Sequence, residues 1–385
     1  MHELDWDCND QVHQFSSLNI IHWYPGSFIS SLPGNIIEIF SNENDIVWDP
    51  FCGSGSSAIE SFKKNRSFIG NDINHISILT TLSKIKIIEH YSIFTETSKK
   101  LIDFLEVKKA ELQFGYLNNV KKNHTSYPID EIKCWYSEKV MNELIYLREM
   151  IDLFSLPQEI EIIYQTIFLN IAKIANAQQK TWGHIADNVK PTETQILEKK
   201  HDVFSKYIQR LLQIEKKAKR IYSFSDQCKY AVEIGDSRHY TPPQKADLVI
   251  TSPPYPLMND YVTAQRLSYY WLKHSKEDIN TVKKNEIGAR YRRHNKTRLI
   301  DYKKDIDKAF DNIINNTNSN GIIAIVMPEY LKEDIRYEVI ADFYNNLTNK
   351  IEKLYEIKRN VDLSNRWAPF KKLKSEVLTV WCKNE

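Results

Sequence analysis

The chain has almost no net charge: 52 Lys and Arg stand against 50 Asp and Glu in 385 residues. The overall balance therefore nominates no polyanionic partner, and any such surface has to come from local clustering. Cysteine is scarce and scattered. Cys8, Cys52, Cys134, Cys228 and Cys382 are odd in number and form no C-x-x-C pair. That argues against a disulfide framework or a thiolate zinc site and fits a reducing compartment. The 11 histidines show no H-E-x-x-H spacing, so no metal site is expected. No apolar run approaches the roughly 18 residues of a membrane helix. Met1 to Asp10 is acidic and lacks the apolar core of a signal peptide. The expectation is a cytoplasmic protein with no membrane contact and no internal repeat.

What is present is a folded-protein composition, 42% hydrophobic, in a chain long enough for one large domain or two ordinary ones. Four short apolar runs read as buried parallel strands: Asp45 to Trp48, Ser67 to Gly70, Ala246 to Ile250 and Gly321 to Met327. Ile351 to Ile357 and Glu376 to Trp381 read as closing strands. Helical patterns such as Ser57 to Lys64 and Tyr302 to Asn315 lie between them. This alternation predicts an α/β, doubly wound, mostly parallel sheet. From His90 to Ser225 the pattern changes to helix throughout, with Val140, Leu144, Leu147 and Ile151, then Ile163, Ile167, Ile171 and Ile174, at helical spacing. Three parts are expected: 1–89, a helical insertion at 90–226, and 227–385.

The sharpest local signal is Asp49-Pro50-Phe51-Cys52-Gly53-Ser54-Gly55-Ser56, between a strand and a helix. Ligands in open α/β sheets bind at such turns, and Gly53 and Gly55 allow close approach and positive φ. The lysine of a phosphate-binding loop is missing, so a nucleotide triphosphate is not implied. A Gly-x-Gly turn by itself also suits a plain tight connection. Asn71-Asp72 ends the next strand, where an acid can hold a ribose diol or cap the helix from Ile73 to Lys84. Thr251-Ser252-Pro253-Pro254-Tyr255 ends a third strand, and Pro-Pro forces the chain out of the sheet as a stiff turn. Glu233 to Arg238, with Gly235-Asp236-Ser237, stands just upstream.

Taken together, these motifs resemble the amino-type, cytosine-N4 or adenine-N6, DNA methyltransferases of prokaryotic restriction–modification systems. Asp49 to Gly55 is similar to their cofactor motif. Tyr24-Pro25-Gly26-Ser27-Phe28 resembles the segment lying against the cofactor's methionine end. Ser252-Pro253-Pro254-Tyr255 resembles their catalytic motif, in the serine version usual for cytosine-N4 enzymes. The resemblance covers Phe15 to about Lys84 and Tyr230 to the C-terminus, with Trp135-Tyr136-Ser137 a looser match. It implies S-adenosyl-L-methionine as cofactor, held by Tyr24, Pro25, Phe28, Asp49, Phe51, Cys52, Gly53, Ser54, Gly55, Asp72, Asp236 and Ser237, with Asp236 on the adenine amine. It implies a Rossmann-like methyltransferase fold, with 90–226 as candidate target-recognition unit.

The chemistry so implied is methyl transfer to a conjugated amine whose lone pair is delocalised into the ring. Acceptors on its N–H protons free that lone pair. Ser252 Oγ and the Pro253 carbonyl supply two, and Tyr255 stacks on a flipped-out base. Double-stranded DNA is the expected partner, with a cognate restriction endonuclease acting separately. The basic run Lys283 to Lys304, which includes Arg290, Arg292, Arg293 and Lys296 with Tyr291 and His294 interleaved, suits phosphate contacts and equally suits a solvated face. Lys371, Lys372 and Lys374, after Arg366-Trp367, are candidates for the same face. Asn259-Asp260-Tyr261 can line a base pocket or cap a helix. Gln178, Gln179, Lys180, Trp182 and His184 form a polar and aromatic patch in the insertion. The order of motifs, cofactor half first, matches one permuted class of the family. In that class the target-recognition segment sits just before the catalytic strand; here the large insertion falls earlier.

Overall fold

Seven runs rich in β-branched and aromatic residues form one sheet, and the two-residue period of their side chains decides what each face meets. The computed structural model describes residues 6–8, 18–26, 29–113, 127–178, 189–199, 201–220, 227–360 and 375–384. The strands are β1 (Ile46–Asp49), β2 (Ser67–Asp72), β3 (Tyr230–Ile234), β4 (Ala246–Thr251), β5 (Thr317–Pro328), β6 (Glu352–Asn360) and β7 (Ser375–Cys382), in the order β3-β2-β1-β4-β5-β7-β6. The first five run parallel. β7 is antiparallel to both β5 and β6. The expected mostly parallel sheet is therefore observed. One strand was not expected: β3 carries a single buried residue, Val232, in five, so it has neither an apolar run nor clean alternation to announce it.

Val47, Phe68, Leu248, Ile250, Ala324, Val326, Leu378 and Val380 point to one face. Trp48, Ile69, Val249, Ile323, Ile325, Met327 and Trp381 point to the other. The first face is covered by α1 (Ser31–Phe40), α2 (Ser56–Lys63) and α3 (His75–Glu89), through Leu32, Ile36, Ala58, Phe62, Ile78 and Ile85. Between α3 and β3 the chain adds α4 (Tyr91–Gln113), α5 (Ile129–Ile132), α6 (Glu138–Leu153), α7 (Glu161–Ala175), α8 (Glu193–Glu198) and α9 (Val203–Ala218). α3 is apolar on two sides. Ile78 and Ile85 meet the sheet, while Ile76, Leu79 and Ile88 join a second core with Leu144, Ile163, Ile167, Phe204 and Leu211. That second core also takes Leu267 and Trp271. They come from α11 (Arg266–Trp271), which follows α10 (Tyr261–Ala264) and precedes α12 (Lys276–Lys284). Trp135 and Tyr136 are buried in it and Ser137 caps α6.

The opposite face is covered by α13 (Arg298–Asn315) and α14 (Ile335–Thr348). Ile306, Phe310, Ile313, Phe343 and Leu347 pack onto the sheet, with the Phe310 and Phe343 rings edge to face at 4.8 Å. Each fully buried side chain of this size contributes roughly 1.5–3 kcal/mol. Among the described residues, no helix is long and apolar enough to cross a membrane.

Strand order reverses between β1 and β4: the chain moves outward through β2 and β3 on one side and through β5 on the other. At such a switch point the two sets of connections diverge and leave a crevice outside the carboxyl ends of the strands. Pairings of Asp49 with Gly70, of Asp72 with Ile234 and of Thr251 with Ile325 bring those ends to one edge. Asp49, Asp72, Gly235 and Ser252 all emerge there.

Candidate functional site

The loop after β1 is shaped by its glycines. Gly53 and Gly55 have φ of +49° and +74°, and a side chain on Gly55 would place its Cβ 2.6 Å from Thr81 Oγ1. Backbone amides turn inward as a result. Gly53 N donates to Asp72 Oδ2 at 3.1 Å, and Phe51 N donates to Asp49 Oδ1 at 3.1 Å. Beneath the loop, the buried Lys84 ammonium donates to the Ser54 carbonyl at 2.5 Å, and burial pulls its pKa down to about 7. Asp72 also accepts from Asn74 N at 2.8 Å, and Asn74 rather than Asp72 caps α3. The neighbouring Asn71 is fully buried. Its Nδ2 reaches the carbonyls of Pro50 and Gly235 and the hydroxyl of Ser237, at 3.1–3.2 Å, and its Oδ1 accepts from Trp48 Nε1 at 2.9 Å.

These elements enclose an open pocket of about 820 Å³, counting the space at its mouth. The structure brings Tyr24, Asp49, Phe51, Cys52, Gly53, Ser54, Asp72, Asp236, Ser237, Ser252 and Pro254 into its lining. Pro25, Gly55, Pro253 and Tyr255 stand outside that lining. Phe28, Gln179, Lys180, Trp182, His184, Arg366, Trp367, Lys371, Lys372 and Lys374 lie outside the described residues. Tyr261 also lines the pocket and stacks on Tyr24 at 6.1 Å. Gly26, Ser56 and Ile73 also line it, as do Asn74, Val262, Asn285, Glu286 and Ile287, and sequence reasoning missed these last five. Glu286 sits near the start of a basic run, which hid this acid among charges of the other sign.

Among the described residues, the lining carries four carboxyl groups, Asp49, Asp72, Asp236 and Glu286, and no Lys, Arg or His. Burial raises Asp49 to about 7, against the hydrogen bonds from Ser57 and Phe51 that lower it. Burial likewise raises Asp72 to about 6 and Glu286 to about 8. Asp236 behaves differently. Burial pushes it up, but the fork of Arg238 on both its oxygens outweighs that and holds it below the usual range. Arg238 in turn pairs with Asp305 at 2.7 Å. Such a pocket favours a ligand that brings cationic or N–H groups and disfavours a phosphate.

The turn after β4 holds a hydrogen-bonded chain. Ser252 Oγ donates to the Tyr255 hydroxyl at 3.2 Å, and that hydroxyl donates to Glu376 Oε1 at 3.0 Å. Glu376, on β7, forms a buried ion pair with Arg359 at 2.5 Å. Arg359 also donates to the carbonyls of Trp6 and Asp7. Tyr255 is therefore fixed at its hydroxyl end, an arrangement its position in the sequence did not disclose.

The basic segment divides on inspection. Arg292 is half-buried, lies over the Tyr291 ring and donates to its hydroxyl at 3.1 Å, with Asp305 3.9 Å away. Arg290 is half-buried, whereas Arg293 and Lys296 are exposed. Asp260 accepts from Tyr291 N at 2.8 Å and so braces this segment against α10. Gln178 donates from Nε2 to the Val189 carbonyl at 2.8 Å.

Residues 6–81 match a family model described as DNA methylase, of the N6/N4 type. The chain is 28% identical over 166 residues to type II methyltransferase M.MjaII of Methanocaldococcus jannaschii, covering 40% of this chain and 31% of that protein. It is 29% identical over 136 residues to type II methyltransferase M.MvaI of Kocuria varians, 34% of this chain and 29% of that one. It is 43% identical over 63 residues to orphan methyltransferase M.BamHII of Bacillus amyloliquefaciens, 16% of this chain and 24% of that one. In each case the match spans less than a third of the relative's length.

The buried carboxyl of Asp49 makes a stability prediction. Its folded pKa of about 7 lies above the ordinary 3.8, so the folded state holds the proton more tightly. The associated stability is complete below about pH 4 and lost as pH rises through about 7. Asp49→Asn keeps the acceptor for Phe51 N and removes the charge. It should raise the thermal midpoint of the ligand-free protein at pH 8 and leave it nearly unchanged at pH 4. The gain is at most a few kcal/mol, at about 1.36 kcal/mol per pKa unit. Equal effects at both pH values would remove the charge from the explanation.

Proposed function

We propose that this chain, whose residues 6–81 match the N6/N4 DNA methylase family model, transfers a methyl group from S-adenosyl-L-methionine to an exocyclic amino nitrogen of a base in double-stranded DNA. Cytosine N4 is the first reading and adenine N6 the second. The observation that carries the proposal is that Ser252 and Pro254 share one pocket with Asp49, Asp72 and the Gly53 loop, at the switch point of the sheet. The cation-free, acidic lining fits the cofactor, which carries an ammonium and a sulfonium. When bound, the cofactor supplies an electrophilic methyl group on that sulfonium.

The chain's own residues then divide the work. The Gly53 amide fixes the Asp72 carboxylate, whose remaining lone pairs would accept from the ribose hydroxyls. Asp236, kept ionised by Arg238, accepts from the adenine amine. At the substrate side the direction of the hydrogen-bond chain matters. Glu376, paired with Arg359, can only accept, so the Tyr255 hydroxyl donates to it. A lone pair of Tyr255 then takes the Ser252 proton. Ser252 Oγ is left with its lone pairs as acceptors for the amine, beside the Pro253 carbonyl. With its N–H protons directed at these two acceptors, the amine nitrogen would be held toward tetrahedral geometry with its lone pair freed. Ser252 favours cytosine, because the adenine enzymes this family resembles more often carry Asp or Asn there. The helical layer at 90–226 is the proposed target-reading unit, and a cognate restriction endonuclease, acting separately, belongs to the same proposal.

Base-by-base mapping of plasmid DNA from cells producing the protein tests the activity and the base together. N4-methylcytosine at one short motif is expected. N6-methyladenine alone would keep the mechanism and reverse the base assignment, and unmodified DNA would remove the function.

The relay changes what Tyr255→Phe should do. Were the ring acting by stacking alone, the variant would be mild. Because its hydroxyl links Ser252 to a charged carboxylate, the loss is that of a charge-assisted hydrogen bond, about 1.5–3 kcal/mol. The rate should fall roughly ten- to a hundredfold, with cofactor affinity unchanged by calorimetry. A wild-type rate would leave the relay without a catalytic part.

DNA affinity should depend on the exposed cations rather than on Arg292. Replacing Arg293 and Lys296 by Glu should weaken binding to all sequences alike. It should also flatten the log–log salt dependence by about 0.9 per lost phosphate contact. A slope equal to that of the wild type would make the segment a solvated face.

A further inference from the structure

Four carboxyl groups line the pocket among the described residues, and in three of them both oxygens already accept a hydrogen bond from the protein. Asp49 accepts from Phe51 N on one oxygen and from Ser57 Oγ on the other. Asp72 accepts from Asn74 N and from Gly53 N. Both oxygens of Asp236 lie on the Arg238 fork. Glu286 is the exception. It is 3% exposed, and its Oε1 accepts from Val262 N at 2.9 Å. Its Oε2 is buried and has no hydrogen-bond partner among the described residues, with the Tyr261 backbone N–H the other amide that acts on the carboxyl. A buried, unsatisfied carboxyl oxygen costs on the order of the desolvation of the group, and such groups mark places where a ligand completes the structure. Asp260 and Lys283 are the charged neighbours that act on it, in opposite senses, and its charge in turn is felt by Tyr261 and Tyr269.

We propose that Glu286 is the acceptor for the ammonium group at the amino-acid end of the cofactor, through the Oε2 that has no hydrogen-bond partner among the described residues. The inference rests on the reading of the pocket as an S-adenosyl-L-methionine site. The ligand offers several neutral donors, the ribose hydroxyls and the adenine amine, but a single cationic N–H donor. Charge-assisted hydrogen bonds are about twice as strong as neutral ones. The one pocket carboxyl with a whole oxygen to give therefore pairs with the one donor that repays its desolvation. Glu286 is also tied by Val262 to α10, whose Tyr261 stacks on Tyr24. Ligand binding at Glu286 thus draws the segment after β4 and the segment before β1 onto the same molecule.

The test is calorimetric binding of two ligands that need no turnover. S-adenosylhomocysteine has the amino-acid end, and 5′-methylthioadenosine lacks it. Glu286→Gln keeps an oxygen for Val262 N and turns an amide N–H₂ toward the ligand. It should weaken S-adenosylhomocysteine roughly ten- to a hundredfold and leave 5′-methylthioadenosine within about twofold. The deaminated analogue of S-adenosylhomocysteine should bind the wild type roughly ten- to a hundredfold more weakly than S-adenosylhomocysteine does. This second arm stands even if the variant fails to fold. A pH series adds a sign. Burial pushes Glu286 up to about 8, and it must release its proton to pair with an ammonium. Wild-type affinity for S-adenosylhomocysteine should therefore rise from about pH 6 to 8 more steeply than that of the variant. Asp49 and Asp72 titrate in both proteins and cancel from the comparison. Equal loss of both ligands in the variant, or full affinity of the wild type for the deaminated analogue, would overturn the assignment while sparing the cofactor site. Failure of the wild type to bind either ligand would overturn the cofactor reading with it.

Discussion

One buried amide holds the site together. The side chain of Asn71 joins the ends of three strands: its Nδ2 to Pro50 after β1 and to Gly235 and Ser237 after β3, its Oδ1 to Trp48 within β1. Asn71 itself ends β2 beside Asp72. With no exposure to water, each of these groups would be costly to leave unpaired, so the loops after β1 and β3 are held in one relation to each other. Everything on the ligand side depends on that relation. The Gly53 amide can reach Asp72, and Asp236 can face the same space as Phe51, because the three strand ends do not move independently.

The same constraint explains the electrostatics. A rigid crevice lined by carboxyls accumulates desolvation cost, which is why Asp49, Asp72 and Glu286 all hold their protons more tightly than usual. Asp236 escapes through Arg238, which Asp305 in α13 steadies from behind. The ligand-free pocket is thus a place where stability is given up, and a cationic ligand is what would recover it. Strain of this kind gathers at functional sites, where local interactions conflict with the fold as a whole.

Legibility in the sequence followed from how local each cause was. β1, β2, β4 and β5 were visible because buried parallel strands need continuous apolar runs, and the Asp49 and Ser252 turns because Gly and Pro announce themselves. β3 was not visible, because a strand at the edge of the sheet with one buried residue needs no pattern. Asn71 read as half of a dipeptide, since its partners lie more than a hundred residues away in two cases. Glu376 and Arg359 read as ordinary strand charges. Their pairing requires β6 and β7 to lie side by side, and Arg359 does stand opposite Glu376 in that ladder. Glu286 lay in a run of lysines and arginines that looked like a solvated face. The same run hid a division of labour, because Arg292 is spent on Tyr291 and Asp305 while Arg293 and Lys296 face water.

The relay from Ser252 to Glu376 gives the end of the chain a role that composition and motifs did not foresee. A serine hydroxyl is both donor and acceptor, and which it presents to a substrate is decided by where its own proton goes. Here the proton is directed inward by a tyrosine whose own proton is directed further inward, to a carboxylate paired with an arginine. The polarity of the proposed catalytic hydroxyl is thus set by two antiparallel strands, β6 and β7, appended to the parallel half of the sheet. Arg359 extends the line to the carbonyls of Trp6 and Asp7, so both termini of the described chain meet behind the turn. A substitution in β7 can alter Ser252 without touching the pocket, and the antiparallel hairpin is as much a part of the site as the loops that line it.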